Sequence, residues 1–219
     1  MAWVPFLLFG IAVVAVYYFQ IQRRVARRRA IATLARGLSF EYFQDDTAEI
    51  TGMAFPFFRQ GKGRKAQNVI SGTHNTFPLK IFDYEYYIDS GRSREYRRFT
   101  CAVLTIPAAC PQLCLSHETP LTRLADHVGH HDIELEYDDF NRRFQVSGND
   151  QKFAFSLLDG QMMQWLLDTD TFERIEVIGP WVMVVRRRLT PAVWLDLGTW
   201  LDAFQTHVPP VVYSTFPRS

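Results

Sequence analysis

The feature that most constrains this chain is an uncharged run at its beginning. From Ala2 to Phe19 no side chain carries charge; the run is built of Trp, Val, Phe, Leu, Ile, Ala and Tyr and is broken only by Pro5 and Gly10. With Ile21 included it approaches the roughly 20 apolar residues needed to cross a hydrocarbon core of about 30 Å. Trp3 near one end and Tyr17-Tyr18 near the other suit the two interfaces, where amphipathic rings settle. Arg23, Arg24, Arg27, Arg28 and Arg29 follow at once, and basic residues flanking an apolar run stay on the cytoplasmic side. The expectation is a transmembrane anchor over residues 1–22, in contact with the lipid bilayer through residues 2–21. The N-terminus then lies outside and the rest of the chain is cytoplasmic: a cell-membrane, single-pass protein. A cleaved signal peptide is the competing reading. It fits less well, because such a peptide places its positive charge before an apolar run of only about 7–15 residues.

Behind the anchor, residues 23–37 continue as a basic juxtamembrane helix stopped at Gly37. Residues 38–208 form one α+β domain, and 209–219 are an extended tail after Pro209-Pro210. With 47% apolar and 15% aromatic residues, the chain can build a sizeable core and is not disordered. Setting aside the arginine cluster, the remainder holds 19 basic against 23 acidic residues. A mildly acidic domain is poorly matched to nucleic acid, whose phosphates need many Lys/Arg contacts.

From Phe55 onward the pattern is that of strands: Phe55–Arg59, Ala66–Thr73, Leu79–Ile88 and Tyr96–Ile106 are rich in β-branched and aromatic residues with turn chemistry between them. Along Leu79–Ile88, Ile81, Asp83, Glu85 and Tyr87 alternate with Phe82, Tyr84, Tyr86 and Ile88, which gives two unlike faces. No element is assigned to Gln44–Thr51. Pro107 and Pro111 end the fourth strand. A helix opens at Thr119-Pro120 and runs to Gly129, and Ile133–Tyr137 and Phe144–Val146 read as further strands. Asp150 and Asp159 are placed to cap two short helices. Ile175–Ile178 and Trp181–Val185 form a pair bent at Gly179-Pro180. A C-terminal helix begins at Thr190-Pro191 and carries Trp194, Leu197, Leu201, Phe204 and Val208 at three- and four-residue spacing. The architecture expected is a curved antiparallel sheet packed against this amphipathic helix, and a pleckstrin-homology-like barrel is one way to build it.

The residues Asp132-Ile-Glu-Leu-Glu136, Phe140-Asn-Arg-Arg-Phe144-Gln-Val146, Asp150, Ala154, Leu157-Leu158 and Met162, with Asn68-Val69, Gly72 and Phe82-Asp83-Tyr84 upstream, resemble a family of bacterial single-pass membrane proteins catalogued as a domain of unknown function. The resemblance covers most of the chain. It implies fold and topology and brings no catalytic residues.

Candidate sites are few. Gly61-Lys62-Gly63-Arg64-Lys65 lacks both phosphate-loop and dinucleotide spacing. In an up-and-down meander, however, the loop with Lys62, Arg64 and Lys65 and the loop with Arg92 and Arg94 emerge at one end, making a basic rim that could meet anionic lipid. Cys110-x3-Cys114-x2-His117 with His127, His130 and His131 offers an alternative metal site, since zinc takes Cys and His. Glu134, Glu136, Asp138 and Asp139 are acids on a solvated face. The odd count of three cysteines argues against a disulfide framework. No nucleophile motif is present and no cofactor is implied. The function that follows is a non-catalytic, membrane-tethered interaction or scaffold module with a protein partner. The alternatives are an enzyme or metalloprotein using the Cys/His set, and an anionic-lipid sensor.

Overall fold

The computed structural model describes residues 4–91, 93–117 and 131–218. It is α+β, with one antiparallel sheet of seven strands and helices around it. Helix α1 is a single rod, Val4–Gly37. Its second half is amphipathic in the simplest way: Arg27, Ile31 and Ala35 recur every four residues and share a face. Ile31 and Ala35 are fully buried against the sheet. The described side chains of its first half are exposed: Phe9 is 72% exposed, Val14 67% and Tyr17 67%.

Among the described residues no helix is long and apolar enough to cross a membrane. This overturns the expected transmembrane anchor and, with it, the single-pass localisation with the N-terminus outside and a cytoplasmic domain. The reason lies in how α1 continues. The uncharged run ends in the more polar positions Tyr17, Tyr18, Gln20 and Gln22, which dilute its hydropathy along the one helix Val4–Gly37. Beyond it the same rod carries arginines directly onto the folded body.

Strands β1 (Glu41–Asp45), β2 (Lys62–His74), β3 (Phe77–Asp89) and β4 (Arg94–His117) follow one another in the sheet, and β5 (His131–Asp132) and β6 (Phe144–Gly148) complete its edge in the order β1-β2-β3-β4-β6-β5. Strand β7 (Arg174–Arg187) pairs with the other side of β4. The β2–β3 turn is the two-residue loop Asn75-Thr76, both at positive φ, the twist that suits a tight hairpin.

Several expectations are corrected. Phe55–Arg59 is not a strand: Pro56 opens a 3-10 turn over Pro56–Arg59, and Phe57 and Phe58 point inward. The stretch given no element, Gln44–Thr51, holds the end of β1 and most of the short helix α2 (Thr47–Gly52). Pro107 and Pro111 do not end β4, which is 24 residues long. They sit where its register shifts against β7 and where its other side has left β3, after Leu104, and not yet met β6, at Leu113. A missing N–H costs nothing where no ladder bond is due. Likewise Gly179, at φ +55 opposite Cys110, lets β7 pass the Gly179-Pro180 bend as one strand. The expected strand Ile133–Tyr137 is instead the irregular connection between β5 and a short helix α3 (Asp138–Arg143). The Asn141 side chain holds the turn between them, donating to the Leu135 carbonyl at 2.6 Å and accepting its N–H at 3.2 Å. The helix expected from Thr119 to Gly129 lies outside the described residues.

Helices α4 (Gln151–Leu157) and α5 (Gly160–Asp168) begin as read, with Asp150 accepting from the Phe153 N–H and Asp159 from the Met162 N–H. Helix α6 (Trp194–His207) lays Leu197, Leu201 and Phe204 into the core beside Leu79, Ile81 and Leu104. The tail forms α7 (Pro210–Thr215) and then bridges β4, Ala108 to Pro217. The sheet thus has a core on each face. The larger is shared with α1 and α4–α7. The smaller is an aromatic cluster of Phe55, Phe57, Phe58, Phe82, Tyr84 and Tyr86.

Candidate functional site

Alternation along β3 sends Phe82, Tyr84 and Tyr86 into the aromatic core and turns Asp83 toward α1. There its carboxylate takes a fork from Arg27, Nε at 2.7 Å and Nη2 at 2.6 Å. Asn68 Nδ2 adds a third bond at 3.0 Å, and Arg188 lies at 3.4 Å. Asn68 reaches inward because β2 bulges between Gln67 and Ile70 and Asn68 takes φ +55. Its own Oδ1 accepts from the Tyr42 hydroxyl at 3.1 Å. Paired, forked charge is the arrangement that makes a buried carboxylate tolerable; the Asp83 side chain is only 8% exposed. The Arg27 guanidinium also lies over the Trp194 ring at 5.7 Å. One arginine of the basic cluster is therefore a bolt that fixes α1 to the sheet and to α6. Nothing in local spacing pairs Arg27 with Asp83. The available signal was an acid, Asp83, next to Leu79 and Ile81 on one strand face.

The basic rim is gathered in part. Lys62 pairs with Tyr87 across β2 and β3, and Asp89 with Arg94 across β3 and β4, so Lys62 and Arg94 share one end of the sheet. Lys65 sits two registers in, opposite Glu85. Arg64 turns back to donate to the Phe58 carbonyl at 2.9 Å. Arg92 lies outside the described residues. The rings of Tyr87 and Tyr96 are 5.6 Å apart, with the Arg94 guanidinium 4.9 Å from the Tyr87 centroid and Arg98 5.7 Å from that of Tyr96. Gly61 makes the close approach possible: at φ +62, a Cβ there would meet the Tyr87 carbonyl oxygen at 2.8 Å. Of the other topology arginines, Arg23 lies over the Phe19 ring at 4.2 Å, while Arg24 and Arg29 are exposed.

The Cys/His set does not converge. Cys110 and Cys114 are four residues apart in β4, about 13 Å along a strand, whereas two zinc-bound sulfurs each lie about 2.3 Å from the metal. Both thiols are buried, and burial pushes Cys110 up to about 12. His117 is taken by Asp170 at 2.7 Å and packs on Phe144 and Phe172. His127 and His130 lie outside the described residues, and only the backbone of His131 is described. Among the described residues no group of three or more His, Cys, Asp or Glu could hold a metal ion. The acids are similarly dispersed: Glu134 and Glu136 are separated by the buried Leu135, and Asp139 pairs with Arg142 within α3.

A buried acid that sequence reasoning missed is Glu176 on β7, which meets Arg174 at 2.7 Å and accepts the Phe57 N–H at 3.2 Å from each oxygen. With both oxygens engaged it ties the 3-10 turn to the sheet. An open, mostly apolar groove of about 470 Å³ runs between the β2–β3 turn, α6 and α7, walled by Phe77, Pro107 and Tyr213.

No family model and no curated protein matches the chain. Its fold is similar to that in the crystal structure of the mycobacterial trehalose monomycolate transport factor A, TtfA. The TM-score is 0.60 at 14% identity, over 84% of this chain and 97% of that one.

Proposed function

We propose that this chain is a non-catalytic interaction module, held at a lipid bilayer by the apolar first half of α1 and presenting its α+β body to a protein partner there. The observation that carries the reading is the unpartnered apolar stretch Leu8–Ile21 on a rod whose other half is bolted down. Leu8, Phe9, Ile11, Val13, Val14, Val16, Tyr17, Tyr18 and Phe19 are each more than half exposed. A helix apolar on all sides is one that is buried in something, and contiguous exposed apolar surface marks a contact site. The Arg27–Asp83 fork makes attachment through this stretch an attachment of the whole body, with little slack. Holding the body at a surface raises its effective concentration toward partners at that surface, so weak contacts suffice. The body has a fold similar to that of TtfA, a protein named as a trehalose monomycolate transport factor, a likeness that supports the fold alone.

The test is co-flotation of the full chain with neutral phosphatidylcholine vesicles. The full chain should float with the vesicles, and Phe9→Glu/Val13→Glu should stay at the bottom of the gradient with an unchanged circular dichroism spectrum. Flotation unaffected by the two glutamates, or a wild-type chain that ignores vesicles, would overturn the reading.

A further inference from the structure

Two independent features of the fold point in one direction. The C-terminal part of α1 sits at the β2–β3 turn end of the sheet: Phe40, bonded through its N–H to the Ala35 carbonyl, packs its ring on Gly72, and Gly72 pairs with Leu79. Arg27 sits four residues further along β3, on Asp83. From Ala35 to Arg27 the helix rises about 12 Å. From Leu79 to Asp83 the strand rises about 14 Å. The two distances agree, so α1 runs close to antiparallel to β3. Continued toward its N-terminus, α1 climbs the same way β3 does. Tyr87 is four residues beyond Asp83, and about nine helical residues cover the same height, which brings Tyr17-Tyr18 level with Tyr87. The apolar stretch of α1 thus leaves the body at the sheet end that carries Lys62, Tyr87, Arg94 and Tyr96.

That end is basic and ring-bearing. Lys62, Arg64, Lys65, Arg94, Arg97 and Arg98 stand against Glu85, Asp89 and Glu95. Glu85 is matched by Arg98 and Glu95 by Arg97, while Asp89 caps its own turn on the Gly91 N–H. Lys62 and Arg94 have no acid within ion-pair distance among the described residues, and Tyr96 and Ile88 are 50% and 38% exposed. Cations with amphipathic rings at one level form the composition of a surface that meets lipid headgroups, the rings settling at the interface and the cations on phosphate.

We infer that the sheet end formed by Lys62, Tyr87, Arg94 and Tyr96 is a binding surface for anionic phospholipid headgroups, engaged when the apolar half of α1 enters the same bilayer. The inference rests on the attachment proposed above and adds to it a preference for lipid charge and a fixed tilt of the body. Arg94 over Tyr87 is held in place by the stacked ring, so its charge is presented without much loss of side-chain freedom.

The full chain is titrated with vesicles of phosphatidylcholine alone and of phosphatidylcholine with phosphatidylglycerol, at low and raised salt. The expectation is tighter binding to the anionic vesicles, weakened by salt. A basic side chain at such a surface is worth roughly fivefold in affinity, so Lys62→Ala/Arg94→Ala should lose at least fivefold on anionic vesicles and nothing on neutral ones. Lys62→Glu, which leaves the Arg94–Tyr87 stack intact, should show the same pattern should the double variant unfold. Equal binding to both vesicles, or an anionic preference that survives the substitutions, overturns the headgroup surface and leaves the attachment standing. Binding to anionic vesicles alone, abolished by the substitutions, supports the surface and removes the attachment. No binding to either removes both.

Discussion

Replacing Asp83 by Ala removes the acceptor on which α1 is fastened. The carboxylate takes two bonds from Arg27 and one from Asn68, with Arg188 nearby. Removing one partner of a buried ion pair costs about 3–5 kcal/mol, mainly because the other is left uncompensated. Arg27 lies near the surface, with its side chain 15% exposed, and can swing out, which places the loss at the lower end, about 3 kcal/mol. For a domain of this size that lowers the melting temperature by about 6–12 °C. The assay is a double-mutant cycle of Asp83→Ala, Arg27→Ala and the double variant by urea unfolding, with a coupling energy of about 2 kcal/mol expected. Limited trypsinolysis gives an independent reading, since Arg27, Arg28 and Arg29 should be cut faster once the fork is gone. A coupling energy under about 0.5 kcal/mol, with unchanged cleavage, would refute the view that this fork holds α1.

Three further outcomes follow from the packing. Asp159→Ala, which deletes the acceptor for the Met162 N–H, should cost about 1 kcal/mol in urea unfolding. Gly61→Ala should cost at least about 1 kcal/mol more than Gly91→Ala; both sit at positive φ, but only at Gly61 would the new methyl meet backbone, the Tyr87 carbonyl oxygen. Cys101 and Cys110 are raised by burial, Cys110 to about 12, so at neutral pH both should resist thiol reagents until the chain unfolds. The sign for stability is set by the same shift. An unfolded thiol ionises near about 8.5, below the folded value. Stability is therefore undiminished below that pH and falls as pH rises toward 12, which a series of urea midpoints would show.

Local pattern carried much of the body. The alternation in β3, the caps at Asp150 and Asp159, and the three- and four-residue spacing of Leu197, Leu201 and Phe204 each report a face that must be buried, and the structure buries them. Prolines misled because their penalty depends on whether a ladder bond is due. At Pro107 and Pro111 β4 is changing partners, so the strand runs on. Phe55–Arg59 had strand-like residues but a proline that opens a 3-10 turn, held in place by partners far along the chain such as the Glu176 carboxylate, 119 residues away. Residues 23–37 continue the N-terminal helix to Gly37, as their pattern suggests, but Arg27 belongs to a tertiary fork no local window contains. The basic rim was legible as a pair of loops at one end of a meander. Its aromatic half, Tyr87 and Tyr96, emerges only from register.

Amide hydrogen exchange along α1, with and without neutral vesicles, tests the central claim most directly. Ile31 to Ala35, packed on the sheet, should be protected in both states, whereas Leu8 to Phe19 should exchange fast in the free chain and become protected only with lipid. If the first half of α1 exchanges at the same rate whether or not vesicles are present, attachment through that stretch is contradicted.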